Sequence, residues 1–427
     1  MGEEKSDGEP GVGVTSKASP GVPRLLRTMN DRAALEVLLE HGALSRAQIG
    51  RLTGLSKPTA SLMLARLEAD GLVVAGGTSG GHRGPGGLLY TLNPAAAYAA
   101  GLDVTPGLIR AAVADITGRT IGTYELTAPE ACGDEVDQVI VAVDGAAREA
   151  GITADAIRRV VVGAPLAFDL REGRVRYPTH MPGWRSPTLF DELAARLPMP
   201  VDCENDVNLV AVAERRLGAA RAHEDFFLLW NEEGIGAAMM FGGRLHRGRT
   251  GGSGEVGFMP VPGTPVVRNP EVAQTGGYQD LAGCQAVPVI ARGLGIDYAA
   301  DLPEPAPSPG ADPVLATATA LLRRAATHAD GPYRRLLEVF ATGVATGLSS
   351  IAAVLDPDVV ILSGGLFTAG GEPLRALVEA ELSELSACQP PLVLAEVHEH
   401  PVLRGALESA LAATRDEVFD TSREPAG

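Results

Sequence analysis

Two short stretches of this chain place carboxylate and amide side chains where a folded protein often binds a ligand. Asn205 and Asp206 follow residues 200–204, a predicted short strand, and Glu255 lies in a glycine-rich loop after two apolar strands. Ligands of α/β folds bind at strand ends, and glycine lets the backbone approach a ligand closely. Carboxylates and amides there can form paired hydrogen bonds with a polar ligand.

Each of these acids also has a simpler explanation. Glu255 would equally suit a solvated position on a glycine-rich hairpin, and Asp206 would equally suit a capped loop. Neither explanation is excluded by the residues alone. A binding site is favoured because both acids occur in one chain together with the features described below.

Apolar segments of strand and helix type alternate along the large body of the chain. Strands that alternate with helices indicate an α/β fold with a largely parallel or mixed sheet. The pattern starts again at Phe226, where two apolar strands are joined by Asn231-Glu232-Glu233-Gly234, so we predict two α/β lobes. The predicted strands include 99–104, 108–116, 160–163 and 359–362, and the predicted helices include 135–150, 189–197 and 207–217.

Length and composition limit the class of protein. The 427 residues suffice for two or three domains, and no run of about 18 apolar residues predicts a membrane span. The first twenty residues are acidic and rich in Gly, Pro and Ser, which predicts a disordered tail and not a signal peptide. The cysteines Cys132, Cys203, Cys284 and Cys388 are far apart, which favours reduced thiols in the cytoplasm.

One small segment of the chain is basic, although the net charge of the whole is −17. Residues 21–92 carry eight Arg and Lys against five Asp and Glu. A basic module on an acidic body localises any contact with a polyanion such as DNA. Any contact with double-stranded DNA is therefore expected in this segment and not over the acidic body.

The basic segment has the pattern of a winged helix-turn-helix. Asn30 can cap a helix from Asp31 to about His41, Ser45 and Gln48 form a capping box, and Ser56 caps a third helix. Two strands then flank a glycine-rich tip, residues 76–87, which we interpret as a wing. The alternative is a three-helix bundle used for dimerisation, which the basic charge and the wing disfavour.

The third helix divides into an apolar and a polar side. Ala60, Met63, Leu64 and Leu67 share one side and are predicted core residues. In a helix-turn-helix the start of this helix meets base edges, and basic residues around it meet phosphates. Thr59, Ser61 and Leu62 are assigned to bases, and Lys57 and Arg66 to phosphates. The complete predicted DNA-contacting set is Ser56, Lys57, Thr59, Ser61, Leu62, Arg66 and Arg83.

These motifs resemble those of the ROK family of sugar-responsive repressors and sugar kinases. The first group is Leu44-Ser45-Arg46-Ala47 with the run from Gly54 to Ser61, and the second is Asn205-Asp206 and Gly254-Glu255-Val256-Gly257. The resemblance implies an α/β protein with an N-terminal winged helix-turn-helix and a two-lobed actin-like, ribonuclease H-like body. It also implies a sugar held by Asn205, Asp206, Glu255 and Asp280. Asp280 stands where the family has a sugar-binding Glu, and a purely structural role for it is equally open.

The zinc site common in the family is not expected here. The resemblance places the ligands at Phe258, where the family has His, and at Tyr278, where it has Cys. Only Cys284 offers a suitable atom in this stretch, whereas zinc needs about four N or S ligands. We predict no metal and no cofactor.

The two loops that cradle ATP in kinase members of the family are altered. Pro106 lies in one loop and has no N–H for a phosphate oxygen. Glu232 and Glu233 stand in the other loop, where a nucleotide needs amide donors and positive charge. We therefore predict a regulator without enzyme activity. The alternatives are an ATP-dependent sugar kinase with an appended DNA-binding domain and a scaffold that binds only proteins.

The resulting prediction is a cytoplasmic DNA-binding regulator whose effector is a sugar or sugar phosphate. A homodimer or homotetramer on a palindromic operator is expected from the resemblance, with no membrane partner. The predicted parts are a tail at 1–20, the DNA-binding domain at 21–94, lobes at 95–222 and 223–400, a helix at 401–416 that returns to the first lobe, and a disordered tail at 417–427.

Overall fold

A computed structural model describes residues 22–78, 87–127, 133–169, 174–176, 184, 188–268, 276–298 and 312–422. The chain divides into two compact units. The first consists of Met1–Ala96 with Asp416–Gly427, and the second of Ala97–Arg415.

The first unit is a helix-turn-helix with an antiparallel sheet. Its helices are α1 (Val22–His41), α2 (Arg46–Thr53) and α3 (Lys57–Ala69), and its strands are β1 (Leu44–Ser45), β2 (Val73–Thr78) and β3 (Leu88–Leu92), in the order β1-β3-β2. The predicted capping box is confirmed, because Ser45 Oγ accepts the Gln48 N–H and Gln48 Oε1 accepts the Ser45 N–H. Gly54, at φ 72°, ends α2 in the left-handed region that glycine tolerates.

The predicted start of α1 is wrong. The helix begins at Val22 and not at Asp31, so Asn30 lies inside it. The preceding residues include Leu25, Leu26 and Met29, which favour helix and outweigh a capping signal from one Asn. Residues 79–86 of the predicted wing tip, Arg83 among them, lie outside the described residues, and Gly76 and Gly77, which were assigned to the tip, belong to β2.

The second unit contains two five-stranded sheets. The first has the order β10-β7-β4-β5-β6 and the second the order β13-β12-β11-β14-β15. Their strands are β4 (Tyr98–Thr105), β5 (Leu108–Asp115), β6 (Thr120–Thr127), β7 (Ile157–Ala164), β10 (Val201–Asn205), β11 (Phe226–Asn231), β12 (Ile235–Phe241), β13 (Arg244–Leu245), β14 (Val359–Ser363) and β15 (Leu392–Leu394); β8 (Ala167–Asp169) and β9 (Arg174–Arg176) form a separate hairpin.

Both sheets are mixed, as their pairing shows. β4 runs antiparallel to β5 and parallel to β7, while β11 runs antiparallel to β12 and parallel to β14. The helices of this unit are α4 (Glu135–Glu149), α5 (Leu189–Arg196), α6 (Asp206–Leu217), α7 (Gly277–Ala282), α8 (Ala286–Gly293), α9 (Pro313–Ala325), α10 (Gly331–Leu355), α11 (Gly365–Leu385) and α12 (Pro401–Val418), which ends in the first unit.

Helices α6 and α12 share one core with residues from both sheets. This core includes Val161 of the first sheet, Phe226 of the second, Leu209 of α6 and Ala406 of α12. Close backbone approach requires glycine here, because a Cβ at Gly101 on β4 would lie 2.5 Å from the α12 backbone. The shared core fixes the ends of β4, β10 and β12 relative to one another.

Helix α10 is the central helix of the second lobe. By length and composition it is the one helix in the described residues that would suit a membrane span, but 56% of its apolar window is buried inside the protein. Its buried residues include Leu336, Phe340, Val344 and Leu348. A core helix explains its apolar character without a membrane.

The C-terminal segment continues past the predicted limit of order. Helix α12 extends to Val418, Phe419 is 2% exposed, and the Thr421 hydroxyl donates a 2.9 Å hydrogen bond to Asp31 Oδ2. The prediction of a disordered tail from residue 417 is therefore wrong for residues 417–422. Polar composition predicted the tail, whereas contacts with α1 of the first unit order it.

Candidate functional site

Asn205 and Asp206 mark the junction between β10 and α6. Asn205 caps α6, with its Oδ1 accepting the Asn208 N–H at 3.2 Å, and its Nδ2 donates to the Leu166 carbonyl at 3.4 Å. Asp206 Oδ1 accepts the N–H of Val207 at 2.8 Å. Asn205 is thus fixed in place by its capping role, and Asp206 is held at the first turn of α6.

Three carboxylates share the space at this junction. The pKa of Asp206 is raised to about 7, mainly by burial and in smaller part by the negative charges of Asp103 and Glu255. Burial also raises the pKa of Asp103, while Arg110 and His400 oppose that rise. Asp103 on β4 and Glu255 therefore lie near enough to Asp206 for their charges to act on it.

The loop that carries Glu255 is anchored against β12. The Gly254 carbonyl accepts the Ala237 N–H at 2.9 Å, and Gly254 has φ 100°. A Cβ at Gly254 would lie 2.0 Å from the Ala237 carbonyl oxygen, so glycine is required there. Glu255 keeps an exposed surface, although partial burial raises the pKa of its carboxyl.

An ion pair that the sequence did not predict joins the two lobes beside these acids. Arg247 Nε donates to Glu204 Oε2 at 2.6 Å. Glu204 Oε1 accepts Asn208 Nδ2 at 2.8 Å and the Asn205 N–H at 3.0 Å. Arg247 also accepts the Ser253 N–H through its carbonyl, at 3.3 Å. The pair therefore ties the end of β10 to the loop that carries Glu255.

The structure places Asp280 less centrally than the other predicted ligands. Its side chain is half-buried on α7, and it is not one of the charges that act on Asp206. The neighbouring Gln279 holds the β11–β12 turn instead, with its Oε1 accepting the Ile235 N–H at 2.7 Å. A sugar contact from Asp280 remains a prediction.

The residues at the family's zinc position do not fit a zinc ion. Tyr278 is fully buried in the core of the second lobe, and its hydroxyl donates to the Val344 carbonyl at 2.6 Å. The Cys284 thiol donates to the Glu233 carbonyl at 3.4 Å, and burial raises its pKa to about 11. Because Tyr278 and Phe258 carry no N or S ligand atom, Cys284 is the one thiol among these positions, whereas zinc needs about four ligands.

The altered phosphate loop places a carboxylate on a backbone donor. Glu232 Oε1 accepts the Gly365 N–H at 2.6 Å, at the start of α11. The pKa of Glu232 is raised to about 7, mainly by burial and in smaller part by the charge of Glu233. A Cβ at Gly365 would lie only 3.0 Å from Glu232 Oε2, which shows how closely the carboxylate sits.

The surface of α3 has the predicted division into two sides. Ala60, Met63, Leu64 and Leu67 are buried, which confirms the predicted core side. Lys57 and Thr59 are exposed, and Leu62 is 73% exposed, an unusual position for leucine that leaves it free to contact a partner.

Several residues assigned to DNA also make local contacts. The hydroxyls of Ser56 and Thr59 hydrogen-bond each other at 2.8 Å, and Ser61 Oγ donates to the Lys57 carbonyl at 2.9 Å. Arg66 forms an ion pair with Asp31, whose side chain is 1% exposed. The sequence did not predict this pair, which joins α3 to α1.

Comparisons with known proteins match two different families to the two units of the chain. The sequence profile of the ROK family matches residues 99–413, and that of the MarR family matches residues 28–84. The xylose repressor of Bacillus subtilis (strain 168) is 27% identical over 240 residues, which cover 55% of this chain and 61% of that protein. The chain thus spans less than two thirds of this relative. The glucokinase of Thermotoga maritima is 28% identical over 212 residues, which cover 49% of this chain and 65% of that enzyme.

Solved structures share the fold. A ROK family transcriptional regulator described as a homologue of the E. coli MLC protein superposes with a TM-score of 0.68 at 15% identity, covering 92% of this chain and 97% of its own. The ROK hexokinase of Thermus thermophilus gives a TM-score of 0.58 at 28% identity, covering 75% and 99%. The predicted fold, a winged helix-turn-helix followed by a two-lobed α/β body, is confirmed.

Proposed function

Since the chain belongs to the ROK family, we propose that it is a DNA-binding transcriptional regulator whose operator binding changes when a sugar binds between the lobes of its body. The observation that carries this proposal is the union of a winged helix-turn-helix with a ROK body in one chain. The xylose repressor of Bacillus subtilis, to which the chain is similar, is named for the same kind of regulation.

The DNA is recognised by α3 and the wing. Thr59, Ser61 and Leu62 meet base edges, with Leu62 suited to a thymine methyl, and Lys57 meets phosphate. The wing adds Arg83. Ser56 and Thr59 fix the start of α3 through their hydrogen bond, so they orient the helix as well as contact DNA. The ion pair with Asp31 holds the Arg66 guanidinium in position, and the N–H groups of Arg66 outside this pair can donate to a phosphate.

The sugar is held by Asn205, Asp206 and Glu255, with Asp280 as a further contact. The buried Asp206 carboxyl can accept a hydrogen bond from a sugar hydroxyl when ionised and donate one when protonated, and the more exposed Glu255 can accept a second. Because these groups come from both lobes, bound sugar favours one relative position of the lobes. The chain exchanges between a DNA-competent and a DNA-incompetent state. The free energy by which the sugar shifts this equilibrium equals the difference between its binding free energies for the two states.

The body has no kinase activity in this proposal. The support for this is the hydrogen bond that the Glu232 carboxylate accepts. The Gly365 N–H, a donor that a phosphate oxygen would use, already bonds the Glu232 carboxylate. A nucleotide would meet Glu232 and Glu233, and each close carboxylate–phosphate pair costs on the order of 4 kcal/mol at an effective dielectric near 20. No cofactor or metal takes part.

A cytoplasmic homodimer or homotetramer completes the proposal. An isologous dimer presents two copies of α3 related by a two-fold axis, so the operator is expected to be palindromic. Analytical ultracentrifugation with and without a duplex tests this assembly directly. A monomer that binds one half-site with full affinity would contradict it.

A sugar kinase is the second candidate, because Asp206 occupies the family's catalytic-base position and has a pKa of about 7. A coupled assay for ADP formation with a panel of pentoses and hexoses separates the candidates. We expect no sugar-dependent turnover, together with a sugar-induced rise in melting temperature. Turnover that disappears in Asp206→Asn would establish the kinase and contradict the proposal.

A further inference from the structure

Helix α12 belongs to both compact units of the chain. Its residues up to Arg415 lie in the second unit, and the residues from Asp416 onward lie in the first. The other covalent link between the units is the bond between Ala96 and Ala97, just before β4. A structural change that travels along the chain from the body to the DNA-binding unit therefore passes through β4 or α12.

Inside the second unit, α12 packs directly on β4 and α6, which carry acids of the candidate site. A Cβ at Gly101 on β4 would lie 2.5 Å from the Leu407 nitrogen on α12, and a Cβ at Gly405 on α12 would overlap the Leu209 carbonyl oxygen on α6. The two glycines thus allow the backbones to touch. Such close contact leaves little room for α12 to slide along either element.

Hydrogen bonds hold both ends of this part of the helix. The buried carboxylate of Glu214 on α6 accepts the N–H groups of Glu396 and Val397, just before α12, at 3.1 and 2.8 Å. At the other end, Arg415 Nε donates to the Ile116 carbonyl after β5 at 2.9 Å. Elements that pack with the first sheet therefore fix α12 at two separate points.

Residues of the second sheet pack in the same core as α12. That core contains Phe226 of β11 and Ile361 of β14 together with Ala406 and Ala410 of α12. Packed cores change between discrete arrangements and do not deform continuously. A change in the relative position of the two sheets is therefore expected to act on α12.

In the first unit, the residues at the end of α12 hold α1. This segment, residues 416–422, is called the C-terminal strap below. Within it, Phe419 is 2% exposed, and the Thr421 hydroxyl donates to Asp31 Oδ2 at 2.9 Å. Asp31 of α1 also pairs with Arg66 of α3. The strap thus contacts the same buried carboxylate that positions the DNA-contacting helix.

We propose that the C-terminal strap couples the sugar site to the DNA-contacting surface: a shift of the first lobe moves α12, and the strap then moves α1 and α3. This inference rests on the proposed function and specifies how the sugar regulates DNA binding. Its consequence is that an interruption of α12 at the boundary between the units leaves sugar binding and DNA binding in place but removes the coupling between them.

Insertion of two glycines between Arg415 and Asp416 tests the proposal in the full chain, because glycine interrupts a helix. The duplex is the site that the full chain selects from a random pool, and the sugar is the pentose or hexose that raises the melting temperature most. The variant should keep this thermal shift, and its operator affinity without sugar should stay within about threefold of wild type. The sugar-induced change in operator affinity should fall from at least about fivefold to less than about twofold.

The matched control is the same insertion after Ser422, beyond the strap, which should leave the sugar-induced change at its wild-type size. Phe419→Ala tests the strap within a continuous helix. It should reduce the sugar-induced change and raise native-state hydrogen exchange in α1 but not in α6, while Phe419→Leu should keep most of the response.

A wild-type sugar-induced change in the variant with glycines after Arg415 overturns the inference. If that insertion unfolds the first unit, Phe419→Ala decides, and an unaltered response in it overturns the inference equally. A wild-type chain whose operator affinity responds to no sugar contradicts the proposed function itself, so the two failures are distinguishable.

Discussion

Replacing Arg66 by methionine separates a structural from a DNA-contacting role for this residue. Arg66 pairs with Asp31, whose side chain is 1% exposed, whereas the Arg66 side chain is 36% exposed. Methionine keeps much of the aliphatic length of arginine but provides no charge. The substitution leaves Asp31 buried without its counter-charge, while the Thr421 hydroxyl still donates to it at 2.9 Å.

The expected loss follows from this geometry. Removing one partner of a fully buried ion pair costs about 3–5 kcal/mol. The cost here should be smaller, about 2–4 kcal/mol, because Arg66 is partly solvated and Thr421 still donates to Asp31. A loss of this size is a large fraction of the stability of a small domain.

Urea denaturation of the full chain measures the loss in free energy of unfolding. Native-state hydrogen exchange of α1 and α3 then shows whether that loss lies in the first unit. Arg66→Met should raise exchange in both helices while leaving β11 and β14 unchanged. Asp31→Asn combined with Arg66→Met should recover most of the stability, because no buried charge is then left unpaired.

The refuting result is also specific. If Arg66→Met keeps wild-type stability and exchange but weakens DNA binding and lowers its salt slope by about one, Arg66 is a phosphate contact and Asp31 does not depend on it.

Three further changes test other parts of the account. Lys57→Ala should weaken binding to every duplex alike and lower the salt slope by about one in fluorescence anisotropy; unchanged affinity would remove Lys57 from the interface. Glu255→Ala should abolish the sugar-induced thermal shift and leave operator affinity intact, and a normal shift would exclude Glu255 from the site. For Asp206, whose folded pKa of about 7 lies above its ordinary 3.8, ionisation costs stability as pH rises from about 4 to 7, and the whole cost is present above 7. Asp206→Asn should therefore stabilise the chain at pH 8, by on the order of 4 kcal/mol at most, and hardly at pH 4; equal melting-temperature shifts at both pH values would contradict the raised pKa.

Local signals in the sequence predicted much of the fold. The capping box of Ser45 and Gln48 and the cap of Ser56 depend on residues within one turn of each other, so their spacing is visible in the chain. The junction of β10 and α6 is likewise local, because Asn205 caps the helix that follows it. The residues on the buried side of α3 can be predicted because the helical repeat alone determines which residues share a side.

Pairs between distant residues could not be predicted in this way. Glu204 and Arg247 are separated by 43 positions, and Arg66 and Asp31 by 35, so only the folded arrangement brings them together. Tyr278 was recognised as a lost zinc ligand, but its hydrogen bond to Val344 depends on the packing of α10. The start of α1 at Val22 depends on the helix-forming residues before Asn30, which outweigh the capping signal of that one Asn.

The central claim is that a sugar changes DNA binding by this chain. It is tested most directly by selecting duplexes from a random pool with the full chain and then titrating the selected site with and without each sugar of a panel of pentoses and hexoses. The account predicts enrichment of a two-fold symmetric site and a change in its affinity of about fivefold or more with at least one sugar. No enriched site, or a site whose affinity is the same with every sugar, would contradict it.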